Sequence, residues 1–213
     1  MSRKLEEKQA RREADERRRA ERKKAARKRN LLTLGVALVV GALVVGLVLR
    51  ERGAKEETVR GVAAEEAGCT EIEQPELEEG REHLPDGTPI EYSTNPPTSG
   101  NHYGNPSNAG FFSDPVAPGA LVHNLEHGQI AIWYRPDAPE TVTQAIEGYV
   151  GGERIALIAT PYDQVPAGAN FSMSSWGAMQ SCEQFSAEVV DQFRERFQGR
   201  GEEDVGVPQF TAE

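Results

Sequence analysis

Leu31 to Leu49 is a run of nineteen residues without a charge, built from Leu, Val, Ala and Gly with one Thr. At about 1.5 Å per residue, a helix of that length just crosses a hydrocarbon core of about 30 Å. Its flanks differ in sign. Residues 1–30 hold fourteen Lys/Arg against six Asp/Glu, whereas residues 52–213 hold nine against twenty-seven. The positive-inside rule then keeps the basic tail in the cytoplasm and puts everything beyond Arg50 outside. The formal net charge of −10 sums two compartments and describes neither.

A cleaved signal peptide fits less well. The apolar run exceeds the roughly 7–15 residues of such an h-region, and no A-x-A site follows it closely. Glu66-Ala67-Gly68-Cys69 has the outline of a lipoprotein cleavage box, but that box needs an apolar residue where Glu66 stands, and it should abut the run. The expectation is therefore an uncleaved signal-anchor in the cell membrane, N-terminus cytoplasmic and C-terminal domain extracytoplasmic. The lipid bilayer is its first partner, with anionic headgroups against the basic tail. No aromatic residue accompanies those charges, so no nucleic-acid partner is expected. Ala37-x-x-x-Gly41 and Ala42-x-x-x-Gly46 are small-xxx-small pairs of the kind that support a homodimer through the transmembrane helix.

Composition divides the chain into a basic tail (1–30), a transmembrane helix (31–49), a Glu-rich linker (50–68), a globular domain (69–198) and a flexible C-terminal tail (199–213). The domain is of the modal size for one folded unit and holds both tryptophans and both cysteines. Its pattern alternates. Thr88–Tyr92 reads as a short strand, 95–104 as a Pro- and Gly-rich loop, and Gly119–His127 as a short helix stopped by Gly128. Gln129–Tyr134 reads as a buried strand, Ala138–Val150 as an amphipathic helix, and Arg154–Ala159 as a strand. Phe171–Met179 suggests one more strand and Cys182–Phe197 a final helix. Strands interleaved with helices give an α/β class, with α+β as the alternative: one small mixed sheet with flanking helices, preceded by one transmembrane helix.

The two cysteines, Cys69 and Cys182, lie on the side where disulfides persist, and their even count favours a bond between them. The rival is Cys182 as a thiolate metal ligand.

His123-Asn124-Leu125-Glu126-His127 spells H-x-x-E-H, in a chain with only two other histidines, His83 and His102. On a helix, positions i and i+4 share a face, so His123 and His127 can grip one ion. With 4 His and 34 acidic residues in 213 positions, a chance match is expected on the order of 0.01 times per chain. His102 sits on a loop stiffened by Pro96 and Pro97, and His83 is the fourth candidate. Glu126 is the candidate general base, since the same pattern places Zn²⁺ beside a base in the inverzincin peptidases. The cofactor suggested is a divalent transition metal: zinc, copper or iron. A metal-free alternative has the histidines bonding the Pro-rich loop, Glu126 pairing with Arg135, and Asn124 and Ser99 joining a polar network.

The runs Asn95-Pro96-Pro97-Thr98-Ser99-Gly100-Asn101-His102-Tyr103 and Leu121-Val122-His123-Asn124-Leu125-Glu126-His127-Gly128 together resemble a bacterial family, domain of unknown function 3105. The resemblance covers residues 69 to 198. Gly68-Cys69, Trp176 and Cys182 match further positions of the family pattern, while Asn101 and Gln129 depart from it. The resemblance implies a membrane-anchored or exported bacterial protein and supplies no reaction. Three readings follow from the residues. The first is an extracytoplasmic domain binding a metal ion through its histidine cluster. The others are a metal-dependent hydrolase with Glu126 as base, and a protein-interaction domain with a structural histidine network.

Overall fold

The computed structural model describes residues 61–151 and 155–211. The predicted span at 31–49 and the basic tail lie outside the described residues. Among those described, no helix is long and apolar enough to cross a membrane.

The elements in chain order are β1 (His83–Leu84), β2 (His102–Tyr103), β3 (Gly110–Phe111), α1 (Pro118–Glu126), β4 (Ile130–Tyr134), α2 (Glu140–Val150), β5 (Leu157–Pro161), β6 (Phe171–Ser175), β7 (Ala178–Cys182) and α3 (Ala187–Phe197). Five of the strands form one mixed sheet in the order β3-β5-β4-β6-β7. β4 lies parallel to β5, β6 runs antiparallel to β4, and β7 runs antiparallel to β6. The parallel pair needs a crossover connection, and α2 supplies it.

All five residues of β4 are buried, because both faces of the sheet are covered. Strand alternation sends Ile130, Ile132 and Tyr134 toward Val142, Ile146 and Val150 of α2 and Val189, Val190 and Phe193 of α3. Ala131 and Trp133 face the other way, into a smaller cluster with Leu121 and Leu125 of α1. A strand covered on both sides reads as a continuous apolar run, as this one does. Each fully buried side chain such as Ile132 or Leu125 contributes about 1.5–3 kcal/mol relative to exposure. The domain is thus α/β, and α1 is the helix that carries the H-x-x-E-H residues.

Several boundaries differ from expectation. Instead of one sheet there are two, because β1 and β2 form a separate parallel pair. Strands of two residues are too short to leave a period in the sequence. The expected strand at 88–92 is irregular; Pro89 has no N–H to give a ladder. Phe171–Met179 is two strands folded back at Trp176-Gly177, where Gly177 takes φ +72°. The last helix begins only at Ala187, where the Ser186 side chain accepts from the Val189 N–H as its N-cap.

Cys182 accordingly ends β7 rather than opening a helix. It is disulfide-bonded to Cys69 across 113 positions, which removes it as a metal ligand. In the chain-entropy account such a closure contributes about 5 kcal/mol. Residues beside Cys69 continue onto the sheet edge, with Thr70 N donating to Ser181 O and Glu73 bridging Met179. They cover backbone groups that an edge strand would otherwise present.

The predicted linker and tail also behave differently where they are described. Ala67 is fully buried in the main core, and Ser186 Oγ donates to Val62 O. Gly199 N donates to Gly128 O, Gln198 Nε2 donates to Pro208 O, and the Arg194 guanidinium lies 3.8 Å over the Phe210 ring. Much of this docking uses backbone groups, which a Gly- and Glu-rich composition does not disclose.

Candidate metal centre

Two local features bring the histidines together. β1 and β2 pair with His83 directly opposite His102, so both side chains leave the same face of the ribbon. On α1, His123, Glu126 and the C-cap His127 stand at i, i+3 and i+4, the spacing that shares a helix face. Gly119 lets the two units meet, since a Cβ there would lie 2.9 Å from the Tyr103 ring. Gly128, at φ +85°, ends the helix just beyond His127.

The donor atoms of His83, His102 and His123 lie within 4.8 Å of one another. Glu126 Oε2 is 3.0 Å from His102 Nε2 and 3.7 Å from His83 Nε2. Donors about 2.0–2.1 Å from one tetrahedral ion stand roughly 3.3 Å apart, so these two separations bracket ligand spacing. His127 is set to one side: its Nε2 is 3.1 Å from His123 Nε2 and 3.6 Å from Glu203 Oε2.

The backbone fixes the imidazoles. His102 Nδ1 lies 2.9 Å from Gly100 O, and His123 Nδ1 lies 2.7 Å from Tyr103 O. A carbonyl only accepts, so each Nδ1 carries a hydrogen and each Nε2 faces away from that anchor. This is the outer-shell arrangement by which proteins orient metal-binding imidazoles. Burial lowers the His123 pKa below the usual histidine value. The hydrogen bond to Tyr103 opposes this, and the neighbouring His127, His102 and His83 add to the lowering. His123 is therefore held in the form that can bind an ion.

The pair at the centre is His102 and Glu126, with side chains 0% and 4% exposed. Their facing atoms are within ion-pair reach at 3.0 Å, yet neither His102 Nε2 nor Glu126 Oε2 has a hydrogen-bond partner. A buried polar atom without a partner costs about 1–3 kcal/mol, more when charged. Two such atoms, fixed at ligand spacing, suit a cation that both can coordinate.

His102, His123, His83 and Glu126 converge, and His127 adjoins them through His123. The alternative partner for Glu126 is excluded, because Arg135 pairs with Asp137 instead. Asn124 holds the loop at Ser107 through bonds in both directions, and Ser99 Oγ accepts from Glu78 N, so both brace the surroundings. Glu203 and the Gly100 and Tyr103 carbonyls were not foreseeable. Glu203 is far away in sequence, and a backbone carbonyl has no side-chain signature.

A family model described as protein of unknown function (DUF3105) matches residues 83–209, a span that includes all four histidines, Glu126 and Glu203. No curated protein and no solved structure matches the chain.

Proposed function

The chain belongs to the DUF3105 family, and we propose that it is a binding domain for one divalent transition-metal ion, held by His83, His102 and His123 with Glu126 as a further ligand. The observation that carries this reading is the unpartnered His102 Nε2–Glu126 Oε2 pair, buried at 3.0 Å. Imidazole donors with one carboxylate suit zinc, copper or iron. The position of Glu126 favours binding over hydrolysis, since a carboxylate between two imidazoles is placed to ligate rather than to activate water. A cleft of about 570 Å³ lined by Thr88, Tyr92, Asn95, Tyr103 and Tyr162 includes none of the histidines.

The hydrolase alternative rests on His83, whose side chain is 45% exposed and leaves one side of the group open to water. In that case Glu126 would serve as base to a metal-bound water. Glu126→Gln separates the two: a ligand loss lowers affinity, whereas a base loss abolishes turnover with the ion still bound.

The location proposed is extracytoplasmic, tethered by the apolar run at 31–49. The Cys69–Cys182 bond supports that side of the membrane, because disulfides persist outside the reducing cytoplasm. Elemental analysis of the purified protein beside a His102→Ala/His123→Ala variant tests the metal. A stoichiometric first-row ion in the parent alone is expected. Absence of any ion from the parent, even after incubation with zinc, copper and iron salts, overturns the reading and leaves a structural histidine network.

A further inference from the structure

The C-terminal segment is strapped across the elements that bear the histidines. Gly199 N donates to Gly128 O at 2.8 Å, and Glu203 N donates to Glu126 O at 2.9 Å. The contact is backbone on backbone: a Cβ on Gly201 would stand 2.1 Å from Glu126 O and 2.3 Å from Gly128 N. Glu202 pairs with Arg81, two residues before His83, and Glu203 Oε2 reaches within 3.6 Å of His127 Nε2. The strap therefore joins the β1 segment to the end of α1 and delivers one carboxylate beside the histidine outside the inner group.

We propose that His127 and Glu203 form an outer metal station through which the same divalent ion enters and leaves the inner group of His83, His102, His123 and Glu126. This rests on the metal-binding reading above. The outer pair is reachable, with side chains 18% and 50% exposed; within the inner group only His83, at 45%, meets water, while His102, His123 and Glu126 are buried. One imidazole nitrogen and one carboxylate oxygen, with water completing the shell, hold an ion weakly enough to release it. His123 links the stations, since its Nε2 lies 3.1 Å from His127 Nε2 and also belongs to the inner group. A neutral imidazole with Nδ1–H offers one lone pair, so His123 serves one ion at a time. Passage inward would exchange His127 and Glu203 for His102 and His83 around His123 Nε2, with the His123 ring tilting on its Tyr103 hydrogen bond. Taking up an ion breaks the His127–His123 hydrogen bond, and the His127 proton shifts to Nδ1 so that Nε2 can bind. The Glu203 carboxylate also raises the local concentration of cations at the mouth.

The test is stopped-flow loading of the metal-free full-length protein with Zn²⁺, and unloading of the zinc form into a chromophoric chelator. Parent and Glu203→Gln are compared. Glutamine keeps the backbone bond to Glu126 O, and an unchanged thermal midpoint verifies the fold. Glu203→Asp, which retains the charge on a shorter arm, is expected to fall between them. Loading and unloading should both slow by roughly ten-fold in Glu203→Gln, with stoichiometry and Kd held. Rates equal to the parent's overturn the station. So does a Kd weakened in step with loading, because Glu203 would then belong to the inner group. A parent that takes up no zinc overturns the metal-binding reading itself, and this inference with it.

Discussion

Trp176 stands edge-on to His102, with ring centroids 6.3 Å apart and planes at 88°. The hairpin turn that ends β6 thus sets an indole against the most buried of the candidate ligands. The other tryptophan, Trp133, is bonded through Nε1 to Ser174 Oγ and packs with Leu121 and Leu125.

That placement makes Trp176 a reporter of the metal centre. Cu²⁺ added to the metal-free protein should quench tryptophan emission with a sharp break at one equivalent. Trp176→Phe should remove most of that quenching without changing the ion content. Quenching that survives in Trp176→Phe, or that rises without a break, would place the copper elsewhere.

Glu126→Gln should have opposite effects in the two states of the protein. Without metal, the substitution replaces a buried carboxyl group whose Oε2 has no hydrogen-bond partner, so stability is expected to hold or rise. With metal, a ligand is lost. The stabilisation of about 2.7 kcal/mol that an ion at a hundred times its Kd provides should shrink accordingly. Thermal midpoints with zinc and with chelator, for parent and variant, check this. Equal loss in both states would make Glu126 a structural acid only.

The legible parts of this molecule were those with a period or a motif. β4, α1 and α2 were readable because Ile130–Tyr134 is continuously apolar and the helices carry apolar residues at helical spacing. The H-x-x-E-H run placed His123, Glu126 and His127 on one helix face. The role of His83 was harder to see, because its position depends on a two-residue strand pairing with His102 across a Pro-rich loop. The strap was invisible for a related reason. Gly201 acts through the side chain it lacks, and Glu203 is brought to His127 by its own backbone N–H. Contacts between backbone groups distant in sequence leave no compositional trace.

Gly119→Ala should separate site geometry from overall stability. The new Cβ would meet Cδ1 and Cε1 of Tyr103 at 2.9 Å, so β2 must shift away from α1. That strain costs about 1–3 kcal/mol, while alanine in a helix returns about 1 kcal/mol, leaving a small net change. The shift also disturbs the Tyr103 carbonyl that anchors His123 and moves His102 on the same strand. A drop of roughly ten-fold in zinc affinity with a nearly unchanged midpoint is the expected pair of results. Unchanged affinity would show that β2 does not set the ligand positions.

The pH dependence follows from His123. Burial holds its pKa in the folded chain below the ordinary 6.5, so around neutral pH it is neutral both folded and unfolded. As pH falls below 6.5, the unfolded chain takes up a proton at this position before the folded one does. Stability from this group is therefore full above the unfolded value and is lost as pH falls through the folded value. Urea midpoints of the metal-free protein from about pH 8 to about pH 5 should decline on the acid side, and His123→Asn should lessen the decline. The zinc form should lose stability over the same range more steeply, because protons compete with the ion for every imidazole that binds it. A metal-free profile as steep in His123→Asn as in the parent would assign the acid sensitivity to other groups.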